Sequence, residues 1–248
     1  MATSRKKGPP EEIIRFAPGD RLAGKYEVVG SLGSGWEGQV YLVKELATGI
    51  ERAAKFFLPR RNPGNRTLVY HAKKLHRLRH CPIVIQYHTQ ETLVRDGYSL
   101  TFLVSEFVEG ELLSEFLKRQ PGRRLQAFEA LHLLHCLATG IECIHRMRDY
   151  HGDLHVDNII INRRGLGFDV KLVDVYQWDP PKHENIQEDV FDLIRVFYDA
   201  LGGRRHYAKQ PQEVRDICCG LKRTLIARKF RTAGQLRERL ERIRWETR

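Results

Sequence analysis

Short apolar-rich runs separated by turn residues recur along the first hundred residues, and this pattern predicts β-strands. The runs "YEVVGSL" and "QVYLVKEL" are joined by "GSGWEG", and "ERAAKFF" follows the turn residues "TGI". Two further runs, "IVIQYHTQETL" and "SLTFLVSEFV", flank the turn "RDG". Over residues 67–80 the apolar residues Leu68, Ala72, Leu75 and Leu78 are spaced by three and four, which predicts a helix. Residues 21–105 are therefore predicted to form a β-rich small lobe with one main helix.

Helical spacing dominates residues 106–248, which are predicted to form a second, mostly helical lobe. "GELLSEFLKR" predicts a short helix, and "EDVFDLIRVFYDALGG" is apolar on most faces, so it predicts a buried helix. A hairpin is predicted where "IIIN" and "VKLVD" flank a polar tip. Apolar positions mark a long helix and a last helix: Phe128, Leu131, Leu134, Leu137, Ile141 and Ile144, then Leu236, Leu240 and Ile243. The predicted fold class is α+β, with two lobes.

The composition suits one domain or two lobes that share a cleft, since the chain has 248 residues. Its N-terminus is charged and holds no apolar stretch, so residues 1–20 are predicted to be a flexible segment rather than a secretory signal. No apolar run approaches the ~20 residues of a membrane helix, and no membrane association is expected. Five cysteines without paired spacing predict reduced thiols, a cytoplasmic location and no zinc.

The net charge of +11 is unevenly distributed. Residues 52–90 contain nine Lys and Arg but no Asp or Glu, and residues 203–248 contain fourteen basic and five acidic residues. Residues 91–202 are acidic, with nineteen acidic and twelve basic residues. Basic segments attract anions such as nucleotides, RNA or an acidic protein, although a solvated basic face has the same composition.

The stretch "LGSGWEGQVY" has glycines at 33, 35 and 38 between two predicted strands. A glycine-rich hairpin tip lets backbone N–H groups approach phosphate oxygens, although an ordinary glycine hairpin has the same pattern. Lys55 follows within an apolar strand, where a lysine is costly unless it has a partner. A triphosphate would be such a partner.

The stretch "YHGDLHVDN" places Asp153 and Asn158 five residues apart in front of the predicted hairpin, and Asp174 lies at its far end. Asp and Asn also favour turns for local reasons. Because both ends of a hairpin lie together, however, these three polar side chains can converge on one point.

In this order the motifs resemble the eukaryotic-like protein kinases. "LGSGWEGQVY" resembles their Gly-rich loop, Lys55 their strand lysine, "YHGDLHVDN" their catalytic loop, "VDVY" their metal-binding motif and "SEFV" their hinge. The resemblance implies a bilobal kinase fold that binds ATP and Mg²⁺. It implies that Asp153 orients and deprotonates a hydroxyl, that Asn158 and Asp174 hold Mg²⁺, and that Lys55 binds the α- and β-phosphates. It also implies nucleotide contacts from Leu32, Gly33, Gly35, Gly38, Val40, Ala53, Glu106, Val108 and Ile160.

Three features depart from the family pattern. His71 stands where the family has a helix glutamate that pairs with the strand lysine, so Lys55 is expected to pair with Asp174, with phosphate or with nothing. Gly152 replaces the arginine that receives a phosphorylated loop. Only fifteen residues separate Asp174 from Asp189 at the start of the predicted buried helix, which is too short for a full activation segment.

The departures leave several functions open. An ATP-dependent kinase that phosphorylates protein Ser/Thr is the first hypothesis, with a small-molecule hydroxyl as the alternative substrate. "HGDLH" is similar to aminoglycoside and choline kinases, and "VDVYQ" to RIO-type kinases. A pseudokinase or nucleotide-binding regulatory module is the second hypothesis. A further hypothesis is an acidic protein or RNA partner at the basic helix 67–80, where most of the charges of Lys73, Lys74, Arg77 and Arg79 are expected to face solvent.

Overall fold

The structure is a computed structural model that describes residues 15–165, 167–175 and 180–243. The described chain forms two compact units: unit 1 is residues 15–77 with 86–107, and unit 2 is residues 78–85 with 108–243. The predicted lobe boundary at 105/106 lies two residues from the observed one. The prediction missed that residues 78–85 belong to unit 2.

Unit 1 is built on a six-stranded antiparallel sheet with the strand order β1-β2-β3-β4-β6-β5. The predicted strands are observed as β2 to β6, and β1 is a short strand that was not predicted. The strands are β1 Arg21–Leu22, β2 Tyr26–Ser34, β3 Gly38–Glu45, β4 Glu51–Phe57, β5 Tyr87–Arg95 and β6 Tyr98–Glu106. The main helix of unit 1 is α1, Arg66–Arg77.

An aromatic core covers one face of this sheet. The ring of Phe56 stacks on Phe102 at 4.7 Å and lies 4.8 Å from Phe16. Phe16 also meets Tyr41 edge-on at 5.5 Å and is only 8% exposed. The predicted flexible segment 1–20 is therefore wrong for residues 15–20, because burial of Phe16 fixes the chain there; residues 1–14 lie outside the described residues.

Helix α1 differs from its prediction in two respects. It ends at Arg77 rather than at residue 80. Lys73, Arg77 and Arg79 are exposed, as expected for most of the basic side chains here, but Lys74 is buried at 1% exposure. Arg77 and Arg79 are exposed but have interaction partners, so the basic residues here do not form a set of uncompensated charges.

Unit 2 combines a small sheet of order β7-β8-β9 with a group of helices. The predicted hairpin is observed as β8 and β9. The strands are β7 Glu111–Leu112, β8 Ile159–Arg164 and β9 Gly167–Leu172. The helices are α2 Leu113–Arg119, α3 Ala127–Arg146, α4 His183–Ala200, α5 Arg204–Tyr207, α6 Gln212–Cys218, α7 Arg223–Lys229 and α8 Ala233–Glu241. Ile243, predicted to belong to the last helix, follows its end.

Helix α3 organises the core of unit 2. Gln126 and Glu129 form a capping box at its start, and its apolar face packs against α4, α8 and β9. By length and composition alone α3 resembles a membrane span, with a mean hydropathy of 1.3 over 18 residues. Half of that window is buried inside the protein, so packing within unit 2 accounts for its apolar character.

All five cysteines are free thiols. The Sγ atoms of Cys81 and Cys143 lie 2.9 Å apart, and burial together with this neighbour raises the pKa of the Cys81 thiol to about 12. Cys81 is thus a packing residue that stays protonated. The cytoplasmic location stays a prediction.

Candidate active site

The Gly-rich stretch forms the turn between β2 and β3. The N–H of Gly35 donates to the carbonyl of Gly38 at 2.9 Å and closes the turn. A Cβ on Gly38 would lie 1.9 Å from the carbonyl oxygen of Phe56, so only glycine fits there. A Cβ on Gly33 or Gly35 would meet nothing within 4 Å, which leaves open space beside the backbone.

The strand register brings predicted nucleotide residues to one face of the sheet. Val40 pairs directly with Lys55, and Leu42 pairs with Ala53. Residues paired across antiparallel strands point to the same side, so Val40, Ala53 and Lys55 share the face opposite the aromatic core. Leu32, on β2, is 45% exposed. The N–H of Glu106 already donates to Gln86, so a ligand could reach only the carbonyl of Glu106.

Lys55 has a carboxylate partner that the sequence analysis missed. Its Nζ donates to Oε2 of Glu37, which lies in the turn of the Gly-rich hairpin. The other carboxylate oxygen of Glu37, Oε1, lies 3.1 Å from Nε2 of His71 on α1. The sequence analysis expected Asp174, phosphate or no partner for Lys55; Glu37 was not among these alternatives, and the alternative of no partner is wrong.

Glu37 is ionised in this arrangement. Burial acts to raise the pKa of its carboxyl, but the hydrogen bond from His71 and the charge of Lys55 outweigh it and hold the pKa at about 2. The acid in "GWEG" is visible in the sequence, but it lies outside residues 52–90, the stretch in which the family pattern places the partner of the strand lysine. Sequence spacing alone does not show that a turn folds back onto the middle of its neighbouring strand.

In unit 2, His151 anchors the loop that precedes β8. Its side chain is buried, and its Nε2 lies 3.2 Å from the carbonyl of Val173. The N–H of Asp153 donates to Nδ1 of the same ring at 3.3 Å. Nδ1 must therefore be the acceptor and Nε2 the donor, which assigns the tautomer. The ring joins the catalytic loop to the chain just before Asp174.

Asp189 on α4 clamps the same loop and was not predicted to have this role. It is fully buried, and its two carboxylate oxygens accept from the N–H groups of His151 and Gly152, each at 2.8 Å. Nε2 of His145 lies 3.0 Å from Oδ2 of Asp189. His145 is thus a packing residue with a defined partner. An Asp in an apolar helix was a visible signal, because a buried carboxylate requires donors.

Asp153 and Asn158 are held together directly. Nδ2 of Asn158 donates to the main-chain carbonyl of Asp153 at 2.8 Å and lies 3.3 Å from its carboxylate. The carboxylate of Asp153 remains 48% exposed. The loop therefore presents the exposed carboxylate of Asp153, and the hydrogen bond from Asn158 fixes the backbone of that residue.

Asp174 lies beside this pair because of the backbone. The N–H of Val173 donates to the carbonyl of Asn158 at 3.0 Å, which brings the end of β9 to the start of β8. Asp174 has φ of 56°, in the left-handed region that Asp tolerates better than most residues. The predicted convergence of Asp153, Asn158 and Asp174 at the hairpin ends agrees with this backbone arrangement.

The remaining predicted nucleotide residues of unit 2 are Val108 and Ile160. Ile160 lies on β8 opposite Leu112, and Val108 precedes β7. Each unit therefore assembles its own group: Val40, Ala53, Lys55 and the glycines in unit 1, and Asp153, Asn158 and Asp174 in unit 2.

Comparison with known proteins supplies the family. Residues 26–175 match the model of the protein kinase domain. The chain belongs to the protein kinase family. This kinase domain is 26% identical over 241 residues to "Probable serine/threonine-protein kinase YbdM" of Bacillus subtilis, covering 88% of this chain and 89% of that one. It is 32% identical over 155 residues to the serine/threonine-protein kinase pkn2 of Myxococcus xanthus, covering 62% of this chain and 18% of that one.

The fold also matches a solved kinase structure. The PknI kinase domain of Mycobacterium tuberculosis, solved as a double mutant, superposes with a TM-score of 0.64 at 19% identity, over 92% of this chain and 97% of that one. The predicted α+β kinase fold is thereby confirmed. The chain spans only 46%, 22% and 31% of the length of the first curated relatives it matches.

Proposed function

We propose that this kinase domain transfers the γ-phosphate of ATP to a serine or threonine hydroxyl of a protein substrate. The observation that carries the proposal is the Asp153–Asn158 arrangement: an exposed carboxylate on a loop fixed by Asn158, His151 and Asp189. Phosphoryl transfer depends mainly on positioning and charge neutralisation, and a fixed loop supplies the first of these.

Asp153 would accept the proton of the attacking hydroxyl and orient its oxygen. A base must reach its substrate, and the Asp153 carboxylate is 48% exposed whereas Asn158 is only 7% exposed.

The residues at the ends of β8 and β9 fit a magnesium ion. The Nδ2 group of Asn158 is engaged by Asp153, which leaves the amide oxygen to bind a cation. Together with the carboxylate of Asp174 this gives hard oxygen ligands, which Mg²⁺ prefers. A bound Mg²⁺ would neutralise phosphate charge. Lys55 would contact the α- and β-phosphates, and the turn holding Gly33, Gly35 and Gly38 would lie over them.

Within unit 1, Leu32, Val40 and Ala53 would contact the adenine, and the carbonyl of Glu106 would bond its edge. The kinase family pattern also assigns nucleotide contacts to Ile160 and to the backbone of Val108.

A protein substrate is favoured over a small-molecule hydroxyl by the relatives. The serine/threonine-protein kinase YbdM is matched over nearly its whole length, so the likeness extends beyond the nucleotide-binding motifs. The pseudokinase hypothesis was motivated by the absent helix glutamate. The contact between Lys55 and Glu37 weakens that motive, because the lysine does have a carboxylate partner.

An acidic protein or RNA partner at α1 is a separate proposal. Burial of Lys74 reduces the cationic surface to the exposed Lys73, Arg77 and Arg79. Partner binding that is unchanged by Lys73→Ser, across a salt series, would count against it.

Transfer of labelled γ-phosphate from Mg·ATP is the decisive experiment. The purified domain is incubated alone, with a mixture of proteins and with a panel of hydroxyl-bearing metabolites. We expect label in protein, loss of labelling in Asp153→Ala, and unchanged labelling in Asp157→Ala, a neighbour whose side chain is 61% exposed. If only metabolites are labelled, the substrate is a small molecule and the proposed protein substrate is wrong. If Asp153→Ala labels protein as well as the wild type does, the assignment of Asp153 as the base is wrong.

A further inference from the structure

The Gly-rich hairpin carries a buried acid that the proposed function has not yet used. We infer that Glu37 is the positioning residue for Lys55. Although Glu37 lies in the turn between β2 and β3, it has the role that the kinase family gives to a glutamate on the helix. This inference deepens the proposed function and rests on it. Its structural half, the effect of Glu37 on Lys55, can be tested without any transfer reaction.

The contacts of Glu37 divide between its two carboxylate oxygens. Oε2 accepts from Nζ of Lys55, and Oε1 lies 3.1 Å from Nε2 of His71. Because an ionised carboxylate only accepts hydrogen bonds, His71 must donate through Nε2. One carboxylate therefore connects the strand lysine to the helix residue that stands where the family has its acid.

The backbone around Glu37 is fixed, so its side chain is not placed there by chance rotation of an open loop. The carbonyl of Glu37 accepts from the N–H of Leu58 at 2.9 Å, just beyond the end of β4. Gly38 next to it lies so close to Phe56 that no side chain fits. Glu37 itself is 7% exposed. The turn is thus held against β4, with the carboxylate directed at Lys55.

Aromatic packing completes the surroundings of the lysine. The Lys55 Nζ lies 5.1 Å from the centre of the Phe57 ring, and that ring lies 5.3 Å from the ring of His71. A cation over an aromatic face gains further attraction, most of all where water is excluded. Lys55, Glu37, His71 and Phe57 therefore form one compact group within unit 1.

The same geometry explains why an acid is absent from α1. A glutamate at position 71 would place a second carboxylate beside Glu37, and like charges at this distance repel strongly when partly buried. A histidine instead donates to the carboxylate. His71 is thus the complement of Glu37, and the departure at position 71 fits an acid that lies in the turn.

The experiment compares four variants by steady-state kinetics. Glu37→Gln removes the charge and keeps the shape. Glu37→Gln/His71→Glu moves the acid to the helix. His71→Glu alone supplies both acids, and Glu51→Gln is the matched control, since Glu51 is exposed on β4. Melting temperature is recorded for each.

We expect Glu37→Gln to lower kcat roughly tenfold to a hundredfold, with a smaller change in KM for ATP, because a misplaced Lys55 affects the transition state more than binding. The double variant should recover most of that loss, and Glu51→Gln should be unchanged. Recovery by moving the charge is not expected of a residue that only stabilises the fold.

A second readout follows Lys55 itself. Labelling of its amine by an amine-reactive reagent, quantified by peptide mass spectrometry, should speed up several-fold in Glu37→Gln and return towards the wild-type rate in the double variant. This measurement remains informative if Glu37→Gln lowers the melting temperature, provided that labelling is done below it.

The outcomes separate this inference from the proposed function. If the wild type transfers no more phosphate than Asp153→Ala, the proposed function is wrong. The rates of Lys55 amine labelling then still test whether Glu37 positions Lys55. If the wild type is active and Glu37→Gln keeps its kcat, the inference is wrong. Faster turnover in Glu37→Gln would also overturn it, because Glu37 would then be a blocking group. A double variant no better than Glu37→Gln overturns it as well.

Discussion

Single buried carboxylates determine the geometry of both groups of site residues. Asp189 accepts from two loop N–H groups and contacts His145, and Glu37 bridges Lys55 and His71. Charge-assisted hydrogen bonds of this kind are shorter and stronger than neutral ones, and removing one partner leaves the others without compensation. At the scale of the residue, substitution of either acid is therefore expected to disturb several contacts at once.

Asp189→Asn is expected to lower the free energy of unfolding by about 3 kcal/mol, because the amide presents a donor where the loop also presents donors. Urea denaturation of wild type and variant measures the difference. Asp157→Asn, on the same loop but exposed, is the control and should lie within about 0.5 kcal/mol of the wild type. A loss for Asp189→Asn as small as that of the control would show that the clamp contributes little.

Ionisation of Glu37 should make stability depend on pH in acid. The pKa of its carboxyl is about 2 in the folded protein and 4.5 in its ordinary state, so its ionisation stabilises the fold above pH 4.5. That stabilisation, at most about 3 kcal/mol, is lost as the pH falls through about 2. We expect the difference in unfolding free energy between wild type and Glu37→Gln, measured in urea from pH 2 to pH 6, to shrink towards the acid end. A difference that does not vary with pH would show that the charge of Glu37 is not what stabilises the fold, since Lys55 stays charged throughout.

Residue types in order along the chain were enough to predict Lys55, Asp153, Asn158 and Asp174 as site residues. They could not predict the partners, because partners are chosen by tertiary contact. Glu37 and Asp189 lie 18 and 37 positions from residues that they bind, and no local spacing marks such pairs. The burial of Lys74 was missed for the same reason: helical periodicity locates an apolar face but does not show what covers its edge.

At the scale of the element, the Gly-rich stretch 32–41 has one glycine that packing requires and two that leave space. Gly38→Ala should destabilise the domain by about 1–3 kcal/mol, because the added Cβ meets the carbonyl of Phe56. Gly35→Ala should be no less stable than the wild type, since its surroundings are open and alanine restricts the unfolded chain. Thermal unfolding of both variants checks this. Equal loss at the two positions would mean that the turn, rather than the close approach of Gly38 to Phe56, limits stability.

Regular periodicity predicted the elements whose faces are uniformly buried or exposed. The long helix α3, the buried helix α4 and the β8–β9 hairpin lie where the pattern placed them. Boundaries were less accurate where tertiary structure decides: α1 stops at Arg77 because the following residues join the other unit, and α4 begins five residues earlier than its apolar run. Apolar spacing continues smoothly across the end of α1, so the sequence contains no local stop there.

At the scale of the whole molecule, the short connection after Asp174 bears on regulation. Helix α4 begins at His183, nine residues beyond Asp174, and Gly152 stands where the family has a phosphate-binding arginine. We therefore expect activity without prior phosphorylation of the chain. Phosphatase treatment before the transfer assay should leave the rate unchanged, with the phosphate content checked by intact mass. Loss of activity on treatment, restored by rephosphorylation, would contradict this.

The contact between Lys55 and Glu37 also decides which motions could switch this kinase. In the family pattern, the strand lysine depends on a helix, and displacing the helix breaks the pair. Here the acid belongs to the turn between β2 and β3, and β3 is hydrogen-bonded to β4, which carries Lys55. The ion pair is internal to one sheet and is insulated from translation of α1. A regulator that pushes on α1 would reach Lys55 through the contacts of His71 with Glu37 and Phe57, so displacing the helix should weaken the placement of Lys55 without breaking its ion pair.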